Sequence, residues 1–285
     1  MKLTLPLFVP ALLLTGCGRL DAILFDPPTA PEQWCKTRPC VELAEVVLDQ
    51  PLGTFLVYLL AALGLVAAWH FWRNRGKEKS RFWWAWALTL GGIAAGLAGT
   101  SYQAFGYELK CAGRELCVWT DWFEVAYMVL QNASVVCLII AVAHACSGGG
   151  LRALLIKYAW ANAAAHVLVT IYGVATATAF LLSFELLLLF ALPALLTALG
   201  LNAVRYLRYR DEMDLALLGA WVWLFATNAI YFAYLMAGFT QILWRDGSGF
   251  YFSENDVLHV GMIGWMLYLI FVVAGRVTDC SETAE

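Results

Sequence analysis

Two carboxylates, Asp121 and Glu124, stand three residues apart, and Gln131 continues the same helical face two turns on. Asp256 and His259 repeat that spacing near the end of the chain. Ser101 and Gln103 lie in the run Gly99-Thr100-Ser101-Tyr102-Gln103, and Glu185 lies between two long apolar runs. Carboxylates, an imidazole and a hydroxyl are the groups that hold metals, move protons and activate nucleophiles. All of them sit in or at the edge of apolar stretches, where an ionisable group is costly and marks a functional site by default. The competing reading is that each simply meets water at a boundary.

A second polar line, Asn162, His166, Thr170 and Gly173, has helical spacing within one apolar run. His166 reads either as an interhelical hydrogen bond, as polar groups in membrane helices commonly are, or as a ligand contact or proton relay. Asn132 and Asn228 read as interhelical contacts, and Gly92, Gly96 and Gly99 as a small-residue stripe for close packing. His70 and His144 sit near span boundaries and read as solvated.

The elements carrying these residues follow from composition. The chain has 285 residues, 62% hydrophobic and 14% charged, with a mean hydropathy of +0.70. A soluble domain is roughly 45–50% apolar and roughly 25% charged. A secreted globular enzyme, a disordered chain and a nucleic-acid binder are thereby excluded, leaving a polytopic membrane protein. A helix needs roughly 20 apolar residues to cross a bilayer. Seven such runs are present: Leu52–Trp72, Phe82–Gly106, Val118–His144, Tyr158–Thr176, Phe180–Val204, Leu215–Gly238 and Asp256–Gly275. The turn between the fourth and fifth falls between Ala175 and Glu185. The predicted fold is an all-α seven-transmembrane bundle over residues 51–276.

Residues 1–16 have the basic start and short apolar core of a signal peptide. They end in Leu14-Thr15-Gly16-Cys17, which is lipobox-like and would make Cys17 a lipidation site in a bacterial host. Residues 17–50 read as a polar, proline-rich extracytoplasmic arm and 277–285 as a cytoplasmic tail. With the N-terminus outside, inner segments hold 11 Lys and Arg, including Arg73–Arg81 and Arg205–Arg210, against 6 outside. That bias sets the orientation as N-terminus out and C-terminus in, at the bacterial cytoplasmic membrane with lipids as partners. Trp69, Trp72, Trp83, Trp84 and Trp86 read as interfacial anchors. Cys35, Cys40, Cys111 and Cys117 then face an oxidising compartment. They read as disulfides, most simply 35–40 and 111–117, since four and five intervening residues fit zinc knuckles poorly.

Several chemistries are excluded outright. The last span holds no Lys for a retinal Schiff base, and neither a GxSxG nor an HExxH motif is present. Ser147-Gly148-Gly149-Gly150 lacks the Lys-Ser/Thr of a phosphate loop and reads as a flexible turn.

The layout of the second, third and seventh spans resembles the CREST superfamily of seven-helix membrane proteins, which includes alkaline ceramidases and progestin/adipoQ-type receptors. Gly99 to Phe105 looks like its second-helix motif, with Gln103 where a His would stand. Asp121 matches the family's Asp, with Glu124 as alternative, and His259 matches the first His of HxxxH, whose second position is Ile263 here. The resemblance implies zinc-dependent hydrolysis of lipid amides or esters at the outer side. Asp121 and His259 would be metal ligands, Ser101, Glu124 and Asp256 catalytic, and Gln103, Glu185 and His166 ligand contacts. Two of the expected His ligands are missing, which equally implies a non-catalytic receptor or lipid-binding protein on the same scaffold. A transporter is the third reading, carried by the line through His166.

Overall fold

The computed structural model describes residues 18–246 and 249–280. The signal segment, Cys17 and the last residues of the tail lie outside this range. Seven helices are long and apolar enough to cross a membrane. They are α1 (Pro51–Arg73), α2 (Lys79–Gly99), α3 (Trp122–Cys146), α4 (Gly149–Thr176), α5 (Phe184–Tyr209), α6 (Glu212–Met236) and α7 (Glu254–Tyr268). α2 continues as a π-helical turn over Thr100–Ala104, and α7 over Leu269–Val273. The predicted runs match these helices, with one clear shift. α4 begins nine residues before Tyr158, so the glycine run is the start of a helix rather than a flexible loop.

The helices are not equivalent. α1 packs on α2 and α7, α2 on α3, α3 on α5, α5 on α6, and α6 on α7, which closes a ring of six. α4 stands outside that ring, against α3 and the turn Ala179–Leu182. α3 is the most enclosed helix and α4 the least, so large side chains of α4 such as Leu154, Leu168 and Tyr172 are exposed. α1 and α2 approach at backbone distance. A Cβ on Gly92 would lie 3.0 Å from the Ala61 carbonyl oxygen, so the small-residue stripe does permit close packing. Trp69, Trp72 and Trp86 are exposed, but Trp84 is wholly buried, stacked between Phe71 and Trp221. It is a core residue and not an anchor, because its face of α2 points into the ring. His144 is likewise buried rather than solvated, under the chain segment whose Cys280 N–H bonds its carbonyl.

The proline-rich arm is folded. Its strands form a hairpin, β1 (Cys40–Leu43) antiparallel to β2 (Val46–Asp49), in register Cys40 to Asp49. Disulfides Cys35–Cys40 and Cys111–Cys117 form as paired in the sequence analysis. The arm is bonded to the α2–α3 connection through Cys117 N–H to Thr29 O, Trp119 N–H to Ile23 O, and a bridge between Leu24 and Val118. It caps one end of the bundle, hereafter the arm end.

Candidate functional site

At the arm end, the π-turn that closes α2 places the first functional group. Phe105 N–H bonds to the Thr100 carbonyl, five residues back, and such bulges recur at functional sites. The turn buries Ser101 and Gln103. Opposite, Asp121 is the N-cap of α3 and accepts from Phe123 N–H at 2.7 Å and Glu124 N–H at 3.2 Å. Glu124 occupies the third helical position, so both carboxylates sit at the positive end of the α3 dipole.

Ser101, Asp121 and Glu124 meet as their spacing predicts. Ser101 Oγ lies 2.5 Å from Asp121 Oδ2 and 2.8 Å from Glu124 Oε1. A hydroxyl has one hydrogen and donates to one of them at a time. The fourth member is Lys110. It ends the short helix Gly106–Lys110, and its Nζ pairs with Glu124 Oε1 and donates to the Trp119 carbonyl at 3.2 Å. It also lies 4.8 Å from the centre of the Tyr102 ring. Lys110 directly precedes the Cys111–Cys117 disulfide, which closes the connection leading into α3. Phe25, Trp34, Arg38 and Trp119 complete a pocket of about 130 Å³ over this cluster.

The arm's own contacts place Trp34 in the wall of that pocket. Asp49 Oδ2 accepts from the Trp34 indole at 2.8 Å and from Tyr107 N–H at 2.9 Å. Burial pushes the Asp49 carboxyl above its usual range, opposed by those two bonds and by Arg38. Burial also lowers Arg38 and pushes Tyr251 up to about 12.

Asp256 and His259 do not join this cluster. Asp256 turns to α1: it forms a reciprocal cap with Ser253, and its other oxygen faces Gly53 and Gln103. His259, one turn deeper, lines a separate cavity of about 210 Å³ inside the six-helix ring. That cavity is walled by residues such as Leu88, Leu187, Leu224 and Met262, with Tyr127, Gln131 and Asn228 as its other larger polar groups. His259 Nδ1 is buried with no hydrogen-bond partner among the described residues. Two further expected contacts fall outside. His166 is on α4, off the ring, with its ring edge-on to Phe190 at 5.1 Å, while Asn162 bonds the Phe190 carbonyl at 2.9 Å. Glu185 is exposed in the first turn of α5, one residue beyond the cavity-lining Phe184.

The donor sets can be tested for a metal. Among the described residues, one group of three His, Cys, Asp or Glu donor atoms lies within 4.8 Å of one another, namely Cys35, Cys40 and Asp49. Its two sulfurs are bonded to each other. Among the described residues, Asp121, Glu124, Asp256 and His259 form no such group, whereas a catalytic zinc takes three protein ligands. The residues do not fit that ion. Beside Glu124, the Lys110 ammonium supplies the positive charge a metal would bring.

No family model matches the chain, and no curated protein and no solved structure is significantly similar to it.

Proposed function

We propose that this chain is an integral membrane protein that binds a small, largely apolar molecule inside its helical ring without hydrolysing it. The observation that carries this reading is the cavity lined by six helices, apolar but for a few convergent polar groups, with an orphaned His259 nitrogen at its wall. Sites for small ligands have this composition. The cavity is small, so a compact amphiphile with one hydrogen-bonding head fits better than a two-chain lipid. The Lys and Arg bias supports an extracytoplasmic arm and a cytoplasmic tail, and the two disulfides agree. A cleaved signal and a lipidated Cys17 at a bacterial cytoplasmic membrane belong to the same proposal. Mass spectrometry of the mature N-terminal peptide tests both.

One observation favours the hydrolase reading: Ser101 is held between two carboxylates in a pocket at the arm end. Under that reading, lipid amides or esters are turned over and Ser101→Ala abolishes turnover. Under the binding reading, neither protein shows turnover above the rate without protein. Turnover lost in Ser101→Ala would overturn the binding reading.

A further inference from the structure

A third polar cluster, distinct from both the Lys110 pocket and the central cavity, lies where α1, α2 and α7 meet at the arm end. Gln50 precedes α1, Gln103 lies in the π-turn of α2, and Asp256 is in the first turn of α7. Each is more than nine-tenths buried. Each also has a side-chain oxygen with no hydrogen-bond partner among the described residues: Gln50 Oε1, Gln103 Oε1 and Asp256 Oδ1. All three side chains close on Gly53. A Cβ built on Gly53 would lie 2.9 Å from Asp256 Oδ1, 3.1 Å from Gln103 Cγ and 3.6 Å from Gln50 Oε1.

The orientation of Gln50 is fixed, because its Nε2 donates to the Tyr102 carbonyl at 3.5 Å and the oxygen must point away. Asp256 is held too, since its Oδ2 accepts from Ser253 N–H at 2.7 Å and from Ser253 Oγ at 2.9 Å. The carboxylate sits in the first turn of α7, at the positive end of the helix dipole. Among the described residues it has no ion-pair partner. A buried carboxylate without a counter-charge is unfavourable, and three buried acceptors call for something positive. A cation satisfies all three.

We propose that Gln50, Gln103 and Asp256 form a site for an alkali metal cation, with sodium as the probe. Hard cations take oxygen ligands. One formal negative charge among three oxygens matches a monovalent ion rather than a divalent one. Gly53 adds no side chain where the three residues approach, and the ion would tie α1, α2 and α7 together.

The experiment is thermal unfolding of the detergent-purified full chain in sodium chloride, potassium chloride or choline chloride at equal ionic strength, with ²²Na binding measured alongside. The expected result is a saturable rise in Tm with sodium or potassium over choline, absent in Asp256→Asn. Gly53→Ala, which puts a methyl into the site, should weaken sodium binding at least tenfold. If either variant fails to fold, Gln103→Met keeps the charge and removes one ligand, with the same tenfold loss expected. Identical Tm in all three salts, or sodium binding unchanged in Asp256→Asn or Gln103→Met, would overturn the proposal. An Asp256→Asn protein as stable as the parent with no salt response in either would assign the site to a proton instead.

Discussion

Lys110 and Glu124 form an ion pair in which both side chains are almost entirely withdrawn from solvent, at 4% and 2% exposure. One comes from a disulfide-closed loop and the other from the first turn of α3. A buried pair adds little net stability over an apolar pair of the same shape, but removing one partner strands a charge. Lys110→Met should therefore cost about 3–5 kcal/mol, with Glu124→Gln in the same direction. The double variant should recover most of the loss. A double-mutant cycle by denaturant or thermal unfolding measures this, and additive losses would show that the pair is not coupled.

Asp49 gives a pH dependence with a definite sign. Its folded carboxyl binds its proton more tightly than the unfolded value of 3.8, because burial outweighs the bonds from Trp34 and Tyr107. The folded state thus holds more protons than the unfolded one just above pH 3.8, and stability falls as pH rises through that window. Asp49→Asn keeps an oxygen acceptor for both N–H donors and removes the charge. Its stability relative to the parent should rise as pH increases from 3.8. A stability difference that stays flat with pH would refute this assignment.

At the opposite end, Asp214 is fully buried. It accepts from Arg205 Nε at 3.2 and 3.1 Å and from Asn202 at 2.8 Å. Arg205 also reaches the Cys146 carbonyl at 3.4 Å, joining α3, α5 and α6. Arg205→Met should cost about 3–5 kcal/mol, since Asp214 keeps its burial and loses its cation. Arg205→Lys should restore only part of it, because a single ammonium cannot span both groups as the planar guanidinium does. Full restoration by Lys, read from Tm, would mean that charge alone matters there.

The helices were legible in the sequence because period and length decide them: all seven runs overlap α1–α7, and the α4–α5 turn falls in the expected interval. The meeting of Ser101 with Asp121 and Glu124 was legible from span order and three-residue spacing. What hydropathy does not encode is the neighbour of each helix. The placement of α4 outside the ring removed His166 from the cavity, and the Ser253 cap turned Asp256 towards α1 and away from Asp121. Lys110 and Gln50 were missed because each lies in a connection whose path is set by contacts of the arm and of a disulfide, not by local pattern.

Ligand retention tests the central claim most directly. The intact protein, purified in mild detergent, is measured by native mass spectrometry beside Leu224→Trp, which fills the cavity, and His259→Leu, which removes its orphaned polar group. The expected result is a discrete added mass on the parent, absent from folded Leu224→Trp and reduced in His259→Leu. A parent carrying no added mass, or the same mass retained when the cavity is filled, would contradict a binding site inside the ring.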